Sequence, residues 1–324
     1  MINYLFNKFF YSIHNELEND FFIKNKKIIL LGDGFFARGF LHYIDHSKFF
    51  ITQIYKDEFI NPQDLMYSLQ RNQYYNGTLH LRDFFTEPPN VIIKQNIKEL
   101  NIDIKNKVKI NNNYYNYNYL IIGLGAHKSL HDWKNEINRL NYINNYSNNI
   151  SIIGMGPTGL ELSLILSKKH NIYLFDMLPK DIIFKNKENI LKILENKNIN
   201  IRFGIKYDSS YSKEFIFCGG SKPNQLTNNY KINKYLQIND NNIYAGGDCI
   251  NDDYIKTAQM AYQQGAYVAK RLNGEIPENE EFKYNHNGSA LNIGDKKVLI
   301  ENHNILPNGI YPDFIIKLYS LFII

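Results

Sequence analysis

A glycine-rich turn between an apolar run and a helical pattern decides how this chain folds. Residues 150–161 read Ile-Ser-Ile-Ile-Gly-Met-Gly-Pro-Thr-Gly-Leu-Glu. The apolar run predicts a buried strand, and Gly154, Gly156 and Gly159 follow it at Gly-x-Gly-x-x-Gly spacing. The first glycine permits a tight turn, the second lets a phosphate approach the backbone, and the third lets helix and strand pack closely. The stretch therefore predicts a strand–turn–helix unit that binds a dinucleotide.

The next strand supplies a carboxylate to this unit. Residues 171–175, Asn-Ile-Tyr-Leu-Phe, predict a strand that ends at Asp176. A carboxylate at that position suits the hydroxyls of an adenosine ribose and repels a 2′-phosphate. We therefore expect NADH rather than NADPH in this unit.

An earlier glycine turn predicts a second unit of the same kind. An apolar strand over residues 27–31 leads into Gly32-Asp33-Gly34-Phe35-Phe36-Ala37, and another strand covers residues 50–55. Its helix N-terminus would receive a second pyrophosphate. One such match is a weak signal, but two in strand–helix–strand context favour two dinucleotide sites.

Three further apolar runs end in small residues, as strands do beneath a bound cofactor. They cover residues 119–125, 215–220 and 242–248, and the last ends at Gly247-Asp248. Shorter strands are predicted over residues 91–93 and 108–110. The fold class is therefore α/β, with two Rossmann-like domains, one inserted in the other. Asn-rich stretches near residues 111–118, 144–149 and 228–242 are predicted to be surface loops.

The most specific motif lies near the C-terminus, where residues 258–265 read Ala-Gln-Met-Ala-Tyr-Gln-Gln-Gly. Together with the two turns, it resembles type II NADH:quinone oxidoreductases (alternative NADH dehydrogenases). These are FAD-dependent members of the pyridine nucleotide-disulfide oxidoreductase superfamily. The resemblance covers roughly residues 26–301, and Lys222-Pro223-Asn224 and residues 282–298 support it.

The resemblance implies a domain plan. It comprises an N-terminal docking segment (1–23), an FAD domain (24–130 and 236–300), an NADH domain (131–235) and an apolar C-terminal segment (301–324).

It also implies a role for each candidate site residue. FAD would contact Gly32, Gly34, Ala37, Gly125, Gly247 and Asp248, with backbone around Ala258 and Gln259 facing the flavin ring. NADH would contact Gly154, Gly156, Gly159 and Asp176, with Glu161 near the nicotinamide side of the flavin. Gln259, Gln263 and Gln264 would border the quinone. Neutral amides can hydrogen-bond quinone carbonyls without burying a charge.

Two departures from the family pattern concern the first unit. Tyr55 stands where an acid usually binds the FAD ribose, and Asp33 places a carboxylate inside the phosphate turn. Asp57 or Glu58 would be the substitute acids.

Composition narrows the classes of function. The chain has 324 residues, 44% of them hydrophobic, and a net charge of +5, but it shows no nucleic-acid-binding motif. Its two cysteines form no Cys-x-x-Cys pair, which excludes disulfide reduction and fits a reducing compartment. No metal-ligand spacing is present, so no metal is expected.

The chain ends in an apolar run over residues 311–324 that predicts a helix. Twelve helical residues reach about 18 Å, which is too short for a bilayer core of about 30 Å. We therefore expect peripheral membrane contact on a cytoplasmic or organelle-matrix side. A helix packed onto the protein or into a homodimer contact is the alternative.

Three interpretations of the activity stay open. The leading one is an NADH:quinone oxidoreductase that does not pump protons. The others are an NADH-dependent reductase of a protein acceptor, and a degenerate NADH/FAD-binding flavoprotein that acts through partner interactions.

Overall fold

The computed structural model describes residues 26–56, 88–103, 106–126, 142–143, 145, 147–183, 188–197, 199–220, 224–227, 229–239, 242–250, 254, 256–286, 290–292, 298–300 and 304–305. Several predictions lie outside these residues. They are the N-terminal docking segment, the substitute acids Asp57 and Glu58, the Lys222-Pro223 pair, and all of the C-terminal segment except residues 304–305.

The elements are numbered in chain order. The strands are β1 (Lys26–Leu31), β2 (Phe49–Tyr55), β3 (Val91–Lys94), β4 (Leu100–Asp103), β5 (Lys107–Ile110), β6 (Asn113–Asn116), β7 (Tyr119–Ile122), β8 (Asn149–Ile153), β9 (Asn171–Asp176), β10 (Ile199–Phe203), β11 (Phe215–Phe217), β12 (Ile243–Ala245), β13 (Ala290–Asn292), β14 (Val298–Ile300) and β15 (Asn304–Ile305). The helices are α1 (Phe35–Tyr43), α2 (Pro157–Leu166), α3 (Lys180–Ile183), α4 (Glu188–Glu195) and α5 (Ala258–Asn273), with a 3₁₀ turn at Gly247–Cys249.

Two parallel sheets form the frame. Among the described residues, one sheet has the order β12-β7-β1-β2-β3 and the other has the order β10-β9-β8-β11. Helix α1 connects β1 to β2, and α2 connects β8 to β9. Parallel strands are covered on both faces, so their sequences are continuously apolar. Residues 28–31 of β1 are accordingly at most 2% exposed. The predicted α/β fold with Rossmann-like units is confirmed.

Two antiparallel sheets accompany the parallel ones, in the orders β4-β5-β6 and β13-β14-β15. The prediction that the three Asn-rich stretches are surface loops is wrong in part. The first contains β6, and the second ends in β8 at Asn149. In β6 only Tyr115 is buried, and both asparagines are exposed, so an Asn-rich sequence is compatible with a strand at this surface. In the third stretch, Leu236 and Ile238 are buried.

Helices α1 and α5 cross in very close contact. A Cβ on Gly39 of α1 would lie 2.1 Å from the Tyr262 carbonyl oxygen, and one on Gly265 of α5 would lie 2.0 Å from that of Phe36. Because only glycine fits at both places, the two backbones touch directly. This contact holds the glutamine-bearing helix against the helix of the first glycine turn.

Candidate functional site: two glycine turns and a glutamine helix

The first turn presents a helix N-terminus to open space. Gly32 has φ +107°, and its N–H donates to the Ile54 carbonyl at 2.8 Å. A Cβ here would lie 2.1 Å from the Gly123 oxygen. Gly34 caps α1 without a side-chain hydrogen bond, and a Cβ added to it would meet no atom of the described residues within 4 Å. Backbone N–H groups at such an end form an anion site.

The carboxylate of Asp33 points into the protein rather than out of this turn. Asp33 is 6% exposed. The Gln53 amide donates to Asp33 Oδ1 at 3.1 Å and to the Gly32 carbonyl at 2.8 Å. These two hydrogen bonds from Gln53 connect the turn to β2. Tyr55, the residue that replaces the acid of the family pattern, ends β2 and is 5% exposed.

The second turn repeats this geometry. Gly154 has φ +107°, and its N–H donates to the Phe175 carbonyl at 2.7 Å. A Cβ on Gly159 would lie 1.9 Å from the Gly154 oxygen, so that position requires glycine. Gly156 caps α2 without a side-chain bond, and its Cβ position is open. The three glycines therefore stand in the places that a pyrophosphate site needs.

Asp176 is held beside this turn. Its Oδ2 accepts from the Met155 N–H at 2.8 Å, and its Oδ1 accepts from the Leu178 N–H at 2.9 Å. Each carboxylate oxygen keeps further acceptor capacity, since it has two lone pairs. The next two residues, Met177 and Leu178, are apolar and are 72% and 50% exposed.

The carboxyl edge of the first sheet gathers the other candidates near α1. Gly247 opens the 3₁₀ turn after β12 with φ +69°, and half-buried Asp248 follows it. A Cβ on Gly246 would lie 2.4 Å from the Phe36 ring. Gly125 lies just past β7 with φ +68° and an open Cβ position. Because β12, β7 and β1 are parallel neighbours, these segments share one edge.

The three glutamines of α5 each have a partner within the protein. Gln264 is 1% exposed, and its Oε1 accepts from the Gly247 N–H at 2.7 Å. Gln263 donates to the Asn285 carbonyl at 2.7 Å and accepts from the Asn285 N–H at 2.9 Å. Gln259 accepts from the Tyr284 hydroxyl at 2.6 Å. Gln259 and Gln263 therefore share a helix face, as their spacing predicts.

The remaining predicted residues occupy defined places. Ala37 is fully buried in α1, Ala258 is the first residue of α5, and half-buried Glu161 lies in α2. Helix α2 also contacts β13. Their roles toward FAD, NADH and quinone stay predictions.

The two cysteines form no disulfide. Cys218 is half-buried just past β11, whereas Cys249 is fully buried and its thiol lies 3.2 Å from the Gly246 oxygen. Burial raises the pKa of the Cys249 thiol to about 11, against the smaller opposing effect of hydrogen bonds from the Leu124 and Gly125 backbone.

The described residues hold no cluster of three or more His, Cys, Asp or Glu side chains with metal-site geometry. No helix within the described ranges is long and apolar enough to cross a bilayer.

Sequence reasoning missed several residues that shape the site. Gln53 carried a usable signal, because it is a long polar side chain in a mostly apolar strand. Gly39 and Gly265 signal helix contact only when both are considered together. Tyr284 and Asn285 carried no signal, because their partners lie more than 20 residues away in sequence.

Comparison with known proteins finds similar folds among solved structures. No protein-family model matches the sequence, and no curated protein sequence matches it. Solved structures do match. NDH2 from Plasmodium falciparum in complex with NADH is 18% identical, with a TM-score of 0.65, 93% of this chain covered and 95% of that one.

Two further structures show the same likeness. NADH:rubredoxin oxidoreductase from Clostridium acetobutylicum is 17% identical, with a TM-score of 0.62, 88% of this chain covered and 85% of that one. Reduced CoADR-RHD from Bacillus anthracis is 19% identical, with a TM-score of 0.63 and 85% of this chain covered, but this chain spans only 61% of its length. The chain thus has the fold of the two-domain FAD/NAD oxidoreductases.

Proposed function

We propose that this protein is an FAD-dependent oxidoreductase that oxidises NADH and reduces a quinone without pumping protons. One observation carries the proposal. Two parallel sheets each lead into a glycine turn at the N-terminus of a helix, and a Cβ added to Gly34 or to Gly156 would meet no atom of the described residues within 4 Å. Two anion-binding helix ends in one chain fit two dinucleotides.

The second turn is proposed to hold NADH. The backbone at Gly156 and the N-terminus of α2 would bind the pyrophosphate. The carboxylate of Asp176 would accept from the ribose hydroxyls and disfavour a 2′-phosphate. Exposed Met177 and Leu178 offer an apolar surface to the adenine ring. The similar Plasmodium structure is a complex with NADH, which supports this assignment by analogy.

The first turn is proposed to hold FAD. The N-terminus of α1 at Gly34 would bind the pyrophosphate, and the open position at Gly125 leaves room beside it. Asp248 would accept hydrogen bonds from the ribityl chain. Bound FAD would supply a ring that accepts a hydride and passes two electrons on, while the protein supplies stacking and position.

The acceptor is proposed to be a quinone because of α5. One face of α5 carries the neutral amides of Gln259 and Gln263, which contact residues 284–285. The first turn of α5 has no acidic residue. An uncharged, hydrogen-bonding surface suits an uncharged carbonyl acceptor. Peripheral membrane contact, the homodimer and the domain boundaries given above belong to the same proposal.

The visible spectrum of the purified protein tests this proposal. It is recorded before and after anaerobic NADH, and then after addition of a soluble short-chain quinone. Flavin bands that bleach with NADH and return with quinone support donor, cofactor and acceptor together. Bands that bleach but do not return argue against quinone and favour a protein acceptor, such as the rubredoxin in the name of the Clostridium enzyme.

A second function has its own observation. Asp33 places a buried carboxylate in the first turn, and Tyr55 ends β2 where the resemblance leads us to expect an acid for the FAD ribose. A protein that binds NADH but no flavin would then act through partner interactions. It would show no flavin bands even with added FAD, while NADH fluorescence would still report binding.

A further inference from the structure

The 3₁₀ turn at Gly247–Cys249, here named the Asp248 turn, is fixed at both ends by buried side chains from other segments. At its start, Gln264 Oε1 accepts from the Gly247 N–H at 2.7 Å. At its end, the Thr227 hydroxyl donates to the Cys249 carbonyl at 2.6 Å. Gln264 is 1% exposed and Thr227 is fully buried, so neither bond is easily replaced by water.

Helix α5 brings Gln264 to the Asp248 turn. A Cβ on the next residue, Gly265, would lie 2.0 Å from the Phe36 carbonyl oxygen, so α5 and α1 are in backbone contact beside Gln264. A Cβ on Gly246 would lie 2.4 Å from the Phe36 ring and 3.0 Å from Gln264 Oε1. Because Gly246 has no side chain, the ring and the amide both pack on the backbone that enters the turn.

The motif residue Asn224 shapes the segment that brings Thr227 to the same turn. Asn224 Oδ1 accepts from the Leu226 N–H at 3.0 Å, and its carbonyl accepts from the Thr227 N–H at 2.9 Å. These bonds form a tight turn between β11 of the second sheet and β12 of the first. The Thr227 hydroxyl lies 3.2 Å from the Asn224 oxygen, farther than from that of Cys249, so its single proton goes to Cys249.

The backbone before Asp248 needs this support. Gly246 is extended and Gly247 has φ +69°. Glycine loses more conformational freedom than any other residue when it is held in one conformation. A side chain that binds a ligand from such a segment binds well only if its backbone is held in advance by other groups. The hydrogen bonds of Gln264 and Thr227 hold it on both sides.

We propose that Gln264 and Thr227 are positioning residues that hold Asp248 in place for the ribityl chain of FAD. The inference rests on the proposed binding of FAD at the first glycine turn and deepens it, and it does not depend on which acceptor is reduced. It gives Gln264 a role on the flavin side instead of the quinone border that the resemblance implies. Both residues act through the backbone of the Asp248 turn.

The test removes one of the two bonds at a time in the full-length protein loaded with FAD. Thr227→Val replaces the hydroxyl by a methyl group of similar size, whereas Thr227→Ser keeps the hydroxyl. Gln264→Met keeps the length of the side chain and loses the acceptor oxygen. The rise of flavin fluorescence after dilution measures release of FAD. Urea unfolding of the FAD-free protein measures stability without the ligand.

Ser212→Ala is the matched control, because it also removes a buried hydroxyl that donates to backbone carbonyls. Ser212 is 8% exposed, and its Oγ lies 2.7 Å from the Asn149 oxygen and 2.9 Å from that of Glu214. These partners lie in β8 and just before β11 of the second sheet, and neither belongs to the Asp248 turn. The control therefore reports the effect of losing such a bond elsewhere in the molecule.

Thr227→Val and Gln264→Met are each expected to release FAD about tenfold faster than wild type, the effect of one hydrogen bond of ordinary strength. Thr227→Ser is expected to release it at close to the wild-type rate. Ser212→Ala is expected to lose stability in urea and to release FAD at the wild-type rate. In an Asp248→Ala background, Thr227→Val is expected to cause no further acceleration, because the residue through which it acts is gone.

Release of FAD at the wild-type rate from either Thr227→Val or Gln264→Met would overturn the inference. Equal acceleration in Ser212→Ala would overturn it too, because it would indicate a general loss of stability. If urea unfolding shows that one of the two variants does not fold, the other decides. A wild-type protein that does not bind added FAD overturns the proposed function as well. A wild-type protein that keeps FAD but is not reoxidised by quinone overturns only the assigned acceptor.

Discussion

The first glycine of each of the two turns makes the same backbone hydrogen bond to the neighbouring strand, yet the turns differ in where the carboxylate lies. Gly32 donates to Ile54 and Gly154 donates to Phe175, in each case the residue before the last of the neighbouring strand. Tyr55 therefore occupies the place of Asp176. The first turn carries its carboxylate within the turn itself, at Asp33.

This difference separates two parts of nucleotide recognition. The phosphate part depends on backbone shape, namely positive φ at the first glycine and an open position at the second, and both turns have it. The ribose part depends on one side chain at a strand end, and only the second turn has a carboxylate there. Each part can therefore be changed without the other.

The largest expected effect is on stability, and it differs between the two glycines of the first turn. Gly32→Ala would place a Cβ 2.1 Å from a backbone oxygen at φ +107°, whereas the added Cβ of Gly34→Ala would enter open space. We expect the first to lose about 3 kcal/mol of unfolding free energy or more, and the second to lose less than about 1 kcal/mol. Urea unfolding measures both. Equal stability in the two variants would contradict the backbone clash.

The next prediction concerns the open positions of both turns. Gly34→Ala and Gly156→Ala fill the cradle at the N-termini of α1 and α2. We expect each to weaken binding of its own dinucleotide by about a hundredfold and to leave the other unchanged, because close phosphate approach is lost. FAD retention on dialysis and NADH fluorescence titration report the two sites. Loss of both ligands in either variant would show that the sites are not independent.

The same substitution is expected to have opposite signs in the two turns. Asp176→Asn removes the carboxylate that faces the ribose, so NADH affinity should fall about tenfold and discrimination against NADPH should shrink. Asp33→Asn removes a carboxylate beside the phosphate position and keeps an oxygen for the Gln53 amide to donate to. FAD affinity should therefore rise severalfold. Calorimetric titration of each ligand measures both changes. A fall in FAD affinity would show that the Asp33 carboxylate itself supports the site.

The smallest effect compares the cysteines beside the two turns. Cys249 is buried and its pKa is raised to about 11, so only about a thousandth of it is thiolate at pH 8. We expect a chromogenic disulfide reagent to label Cys218 alone in the folded protein and both thiols in urea. The variant Cys218→Ser serves as the control, and prompt labelling of this variant at pH 8 would contradict the burial of Cys249.

Much of the fold could be predicted because its signals are local. The two glycine turns and the apolar strands β1, β7, β8 and β12 each depend on a few adjacent residues. The Asn-rich stretches mislead for the opposite reason. Their composition favours loops, but β6 needs only one buried side chain, Tyr115, and a neighbouring strand to pair with.

The candidate site was only partly predictable. Asp176 and the second glycine of each turn stand where their motifs place them. The buried contact between Asp33 and Gln53 depends on the register of β1 against β2, which pairs Leu30 with Gln53. No pattern within either strand specifies that contact.

The sequence by itself determined where the chain can turn tightly and where a phosphate can approach the backbone, because glycine tolerates positive φ and has no Cβ. It also placed Gln259 and Gln263 on one helix face, since helical geometry repeats every few residues. Only the tertiary structure decided what those glutamines contact. The close passage of α5 over α1 at Gly39 and Gly265 joins residues far apart in the chain, and so do the hydrogen bonds of Tyr284 and Asn285 to α5. Such contacts exist only once the whole unit has packed.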